Sequence, residues 1–266
     1  MELQIMGTPV QVTLQGETGR GLLLLHGWAC SASMMGAVQD AFASRMRTAA
    51  VDFPGHGALG QAPEPPESWD VHDYAKMTAE VIRRLDLAPC DIIAHSFGAR
   101  VAIVLSAEHP ELVNRLILTG AAGIRKPQTG KAKARTRLYK IARGTLGALE
   151  RSRLLKKTLA ERGREALIAR FGSPDYRALT PTMRQTFNCI VTEDLSALLP
   201  AIQASTLLFW GAKDTETPLW MGRQMAKEIP DAGLIVEEGA GHFAYLERQG
   251  VFLAAASSFL GEGGAQ

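Results

Sequence analysis

The sequence predicts an α/β fold: a mostly parallel sheet with helices on both faces, interrupted by an all-helical insertion. Three observations carry this expectation. Short apolar runs of buried-strand type recur at residues 22–25, 48–51, 91–94, 116–118 and 207–210. Helix-length segments with apolar residues three or four apart lie between them. The alternation stops between 121 and 204, where only helix-like spacing is found, and then resumes.

In chain order, residues 3–6 and 10–14 alternate apolar with polar side chains and read as an antiparallel entry hairpin. The leucines at 22–25 form the first core strand and run into His26-Gly27-Trp28. The strand at 48–51 runs into a Gly/Pro turn at 52–57, Asp52-Phe53-Pro54-Gly55-His56-Gly57, for which a structural role is expected. A helix over 74–85 places Val81, Ile82 and Leu85 on one face, and one over 97–108 does the same with Val101, Val104 and Leu105. Within the insertion the helical spacing is carried by Leu138, Ile141, Leu146 and Leu149, then Leu154, Leu155 and Leu159, then residues 166–171. A last strand is expected at 234–236, and the glycine-rich tail at 261–264 is expected to fray. The expected domains are a core of 1–120 and 205–266 and a helical cap of 121–204.

The 266 residues, 46% apolar and 21% charged, suffice for one large domain or a core with an insertion. The apolar run at 22–25 is far short of the ~20 residues of a membrane span, and the N-terminus does not read as a secretion signal. Cys30, Cys90 and Cys189 are odd in number and widely spaced, so neither a metal site nor a disulfide framework is expected, and a reducing cytoplasm is the expected location. The net charge of +2 hides a segregation. Residues 125–170 hold 15 Lys and Arg against Glu150, Glu161 and Glu165, a net +12, and the remainder carries −10. One reading is solvated faces on amphipathic helices. The other is a dock for something anionic: an acidic carrier protein, a phosphate-bearing acyl group, or an anionic membrane surface. Nucleic acid is not expected, because no nucleic-acid-binding fold or aromatic platform accompanies the charge. Monomer and homodimer both stay open.

The chemistry is concentrated in Ala94-His95-Ser96-Phe97-Gly98, which ends an apolar strand and opens an apolar helix. A serine held on so tight a strand-to-helix turn needs small residues two before and two after it, here Ala94 and Gly98. The helix N-terminus offers the Phe97 N–H to a developing oxyanion, and the His26-Gly27-Trp28 turn can supply the Trp28 N–H as second donor. Asp214 follows the strand at 207–210, and His242 follows the last strand. Catalytic groups gather at the carboxyl ends of strands in such sheets, and the order Ser96, Asp214, His242 is that of one hydrolase class. His242 is then the general base for Ser96, and Asp214 orients its imidazole. Asp194, which follows no strand, is the lesser candidate for the acid. His26, His95, Phe187 and Phe243 are expected near the substrate pocket.

Through His26-Gly27, residues 52–57, 94–98 and 211–214, and Gly241-His242, the chain resembles the α/β-hydrolase superfamily over nearly its whole length. The resemblance implies an eight-stranded sheet, a helical lid after strand six, no cofactor, and an acyl-enzyme on serine. Ser96 disfavours the relatives that use a nucleophilic aspartate. The alanine at 94 departs from the usual glycine. The His-Gly-Trp turn is similar to that of carboxylesterases acting on pimeloyl carrier-protein methyl esters. The expected activity is hydrolysis of a carboxylic ester or thioester of a small or medium acyl substrate. Acyl transfer by the same residues, or a slow ligand sensor signalling through its cap, are the alternatives.

Overall fold

The computed structural model describes residues 1–57, 62–127, 130–152, 157–171 and 174–261. Leu154 and Leu155 of the expected second helical segment, and the tail beyond Gly261, lie outside these. The strands are β1 (Glu2–Ile5), β2 (Thr8–Gln15), β3 (Gly21–Leu25), β4 (Arg47–Asp52), β5 (Cys90–His95), β6 (Val113–Thr119), β7 (Ser205–Gly211) and β8 (Ala232–Glu237). They form one eight-stranded sheet in the order β1-β2-β4-β3-β5-β6-β7-β8. Only β2 runs antiparallel to its neighbours, and the other pairs are parallel.

The helices are α1 (Gly36–Phe42), α2 (Val71–Arg84), α3 (Phe97–Glu108), α4 (Gly130–Arg151), α5 (Lys157–Phe171), α6 (Pro174–Ala178), α7 (Pro181–Thr192), α8 (Leu219–Glu228), α9 (Ala244–Glu247) and α10 (Gln249–Leu260). Successive strand side chains point to opposite faces, and the apolar runs divide accordingly. Leu23, Leu25, Ile92, Ala94 and Leu118 pack with residues of α2, α3 and α8. Leu22, Leu24, Ile93 and Ile117 pack with residues of α1 and α10. Burial on both faces explains why these strands read as continuous apolar runs rather than as alternation. Asp70 caps α2, accepting from the Asp73 N–H while Asp73 returns the bond, which starts the helix three residues before its apolar spacing is visible.

The chain divides into two compact units, Met1–Arg125 with Asn188–Gln266, and Lys126–Phe187. The helical unit is therefore narrower than the expected 121–204. Ala121, Ile124, Leu195, Leu199 and Ile202 are buried in the cluster that covers one sheet face, so physically they are core. Within the helical unit, Leu146 of α4 lies over Gly163 of α5. Arg184 of α7 bridges to Glu165 at 2.8 Å and donates to the carbonyl of Arg177. Among the described residues no helix is long and apolar enough to cross a membrane.

Candidate active site

β3 sits between β4 and β5, so the chain leaves it in one direction and returns on the other side, and α/β sheets place their sites at the carboxyl ends of strands beside such a reversal. Ser96 stands at the end of β5 with φ 51° and ψ −106°. This left-handed conformation costs on the order of 1–3 kcal/mol in a non-glycine residue and persists only where the surroundings enforce it. Here the Ser96 N–H donates to Thr119 O at 3.1 Å, the Ala122 N–H donates to Ser96 O at 3.3 Å, and the Gly98 N–H donates to His26 O at 3.0 Å. The small residue at 98 is dictated by the last of these. A Cβ there would fall 2.6 Å from Leu25 O and 2.7 Å from His26 O.

The Phe97 amide opens α3 and so has no acceptor within its helix. The turn after β3 lies against the same elbow. A Cβ on Gly27 would be 3.4 Å from that of Ser96, and the Trp28 and Phe97 rings meet edge to face at 5.5 Å. Behind them His56 stacks flat on Phe97 at 5.2 Å.

The loops after β7 and β8 are stitched together by the Lys213 N–H donating to Ala240 O, and Glu247 of α9 accepts the Gly241 N–H at 2.9 Å. This sets His242 between the other two residues. Its Nε2 lies 3.0 Å from Ser96 Oγ, and its Nδ1 lies 2.8 Å from Asp214 Oδ2. Asp214 Oδ1 accepts the backbone N–H groups of Glu216 and Thr217, both at 2.8 Å. Thr217 Oγ1 donates to Oδ2 at 2.7 Å. Burial works to raise the Asp214 carboxyl, but the hydrogen bonds from His242 and Thr217 outweigh it and hold the group below the usual carboxylate range. Gly120, after β6, has φ +50°, and a Cβ there would approach His242 O to 2.9 Å and Nδ1 to 3.2 Å. Sequence reasoning missed both Gly120 and Thr217. Asp194 is elsewhere, accepting from the Ser196 N–H at 3.0 Å and hydroxyl at 2.6 Å.

The expected pocket residues part company. His26 is fully buried with both nitrogens engaged: Nδ1 donates to Gly27 O at 2.7 Å, and Nε2 accepts from the Phe53 N–H at 3.1 Å. It ties the turn after β3 to the turn after β4, which corrects its expected place at the pocket wall. His95 is also buried. Its Nδ1 donates to Thr119 O at 3.1 Å, and its ring backs His242 at 4.8 Å instead of lining open space. Phe243 is half-buried beside His242, ring to ring at 5.4 Å. Phe187 belongs to the helical unit, 5.7 Å from the Tyr176 ring.

Burial keeps three of these imidazoles neutral. It pulls His26 down to about 4; burial first, then the neighbouring His26, pulls His56 to about 3; and burial first, then His242, pulls His95 to about 3. Below pH 6.5 the unfolded chain takes up protons that these folded-state histidines refuse, so stability falls as the pH drops from there toward 4. Each such group contributes a slope of about 1.4 kcal/mol per pH unit. The half-exposed pair of bonds from His72 to Glu108 and Glu193 raises His72 and offsets part of this. The urea midpoint is expected to fall steeply between pH 6.5 and 5. A midpoint flat over that range would refute neutral burial of the three.

Known proteins resemble this chain over most of its length. The alpha/beta hydrolase family model matches residues 22–256. A pimeloyl-[acyl-carrier protein] methyl ester esterase of Chromobacterium violaceum is 29% identical over 248 residues, covering 91% of this chain and 94% of that protein. Among solved structures, a hydrolase from Pseudomonas aeruginosa superposes with a TM-score of 0.74 at 24% identity, covering 98% of both chains. A meta-cleavage product hydrolase from Pseudomonas fluorescens gives 0.70 at 22% identity, covering 98% of this chain and 97% of that one. At such identities the two structures speak to the fold alone.

Proposed function

Because the chain belongs to the alpha/beta hydrolase family, we propose that it cleaves a carboxylic ester, or a thioester, through an acyl-enzyme on Ser96. It is a hydrolase with carboxylesterase-like activity. The observation that carries the reading is the unbroken line of bonds from Ser96 Oγ through His242 to Asp214, at 3.0 and 2.8 Å. His242 Nε2 takes the hydroxyl proton as Oγ attacks the carbonyl carbon. The oxyanion develops against the N–H groups of Phe97 and Trp28. Collapse expels the alcohol, which leaves with the proton from His242. Water then enters by the same route, His242 taking its proton, and Ser96 Oγ leaves with that proton to release the acid.

The substrate class follows from two supports. The Chromobacterium relative is named for a methyl ester on a carrier-bound pimeloyl chain. Residues 125–170 of this chain carry a net +12, which suits an acyl group borne on an anionic carrier. Fluorophosphonate labelling, with a panel of p-nitrophenyl esters of increasing chain length, tests the chemistry: rapid labelling with sustained turnover is expected, and labelling followed by a single slow turnover would mark a sensor instead. An acyl-carrier methyl ester tests the partner. Its kcat/KM relative to the neutral ester should fall as the Debye length shrinks from about 10 Å at 0.1 M salt to about 3 Å at 1 M. Arg137→Glu with Lys140→Glu should lower the same ratio. A ratio indifferent to both would reject the carrier.

A further inference from the structure

The Thr217 hydroxyl has one proton and three neighbours. Oγ1 lies 2.7 Å from Asp214 Oδ2, 3.0 Å from Gly120 O and 3.3 Å from His242 Nδ1. Thr217 is buried, and its own N–H is already given to Asp214 Oδ1. One residue thus holds both carboxylate oxygens, one through its main chain and one through its side chain.

Resting on the assignment of Ser96, His242 and Asp214 as the catalytic line, we infer that Thr217 is a positioning residue of the reaction, acting through Asp214. A carboxylate has room for about four donors. Asp214 receives Glu216 N–H and Thr217 N–H on Oδ1, and the Thr217 hydroxyl and the imidazole N–H on Oδ2. With all four in place the plane of the carboxylate is fixed, and Oδ2 can meet the imidazole in one orientation only. The hydroxyl also shares the negative charge of Oδ2. Without it that charge falls wholly on the imidazole, so the charged form of His242 becomes harder to deprotonate and the base is available only at higher pH. Gly120 O, at 3.0 Å, competes for the same proton, but the shorter contact and the negative charge of Oδ2 win it, and the loop after β6 is left packed against the hydroxyl.

Thr217→Val keeps the shape and deletes the hydroxyl. With p-nitrophenyl butyrate, kcat should fall about 10- to 100-fold, the range for a hydrogen bond to a charged group. KM should change little, and the acid limb of kcat/KM should move to higher pH. Thr217→Ser, which keeps the hydroxyl, should stay within a few-fold of wild type with an unmoved acid limb. If the valine variant does not fold, Thr217→Ala, smaller and free of any clash, replaces it. Wild-type kcat in the hydroxyl-free variant, an acid limb that stays in place, or a serine variant as impaired as valine would each overturn the inference. Ser96→Ala measured beside them separates the two claims: an active Ser96→Ala sinks the catalytic line itself, whereas a dead Ser96→Ala beside an unimpaired Thr217→Val sinks only the role of Thr217.

Discussion

Ser96→Ala should lower ester turnover by on the order of 10⁴- to 10⁶-fold, as loss of the nucleophile does in serine hydrolases, with little change in thermal stability. The side chain of Ser96 makes its one described bond to His242 Nε2. The bonds that hold the elbow are all main chain: Ser96 N–H to Thr119 O, Ala122 N–H to Ser96 O and Gly98 N–H to His26 O. Alanine retains every one of them and occupies the same backbone region at a similar cost. Chemistry and fold therefore separate cleanly. Fluorophosphonate labelling should vanish while circular dichroism and the melting temperature stay near wild type. A variant keeping a tenth of wild-type turnover would reassign the nucleophile.

Asp214→Asn should cost about 10⁴-fold, and the structure says why the loss is so large for one atom. The Oδ1 position faces two donors, the N–H groups of Glu216 and Thr217. An asparagine must put its carbonyl oxygen there. Its NH₂ group then faces His242 Nδ1, which is forced to accept. The ring proton moves to Nε2 and points at Ser96, so the imidazole offers a proton where a base is needed. Asp194→Asn should leave the rate near wild type, since that carboxylate serves the turn at Ser196. The measurement is kcat for both variants on one ester, and a dead Asp194 variant beside an active Asp214 variant would reverse the assignment.

The parts of the molecule legible in the sequence share a physical cause. Strands buried on both faces must be apolar throughout, so β3 and β5 announce themselves as Leu22 to Leu25 and as Ile92, Ile93 and Ala94. Ser96, Asp214 and His242 each follow such a strand, so their order along the chain already speaks. Thr217 was invisible because a threonine before a proline reads as an ordinary helix start, and its role depends on where the loops after β6 and β8 come to lie. Gly120 was missed for the same reason. His26 was misplaced because residue type does not distinguish a histidine that meets ligand from one consumed by two backbone groups. The inner edge of the helical unit was drawn too wide because Leu195, Leu199 and Ile202 carry helix-like spacing while packing against the sheet.

The neck of the insertion has a consequence for how such a protein diversifies. Where the chain leaves the sheet and where it comes back, the two strands of backbone are bonded to each other: the Leu195 N–H donates to Gly123 O at 2.8 Å, and Asp194 accepts the Arg125 N–H. The core closes this gap by itself, whatever the length of chain between. Residues 126–187 can therefore be exchanged for another segment without stretching β6 or β7, because these closing bonds lie within the core unit. The segment between can lengthen, shorten or change its composition while the bonds from Ser96 to His242 and from His242 to Asp214 stay as they are.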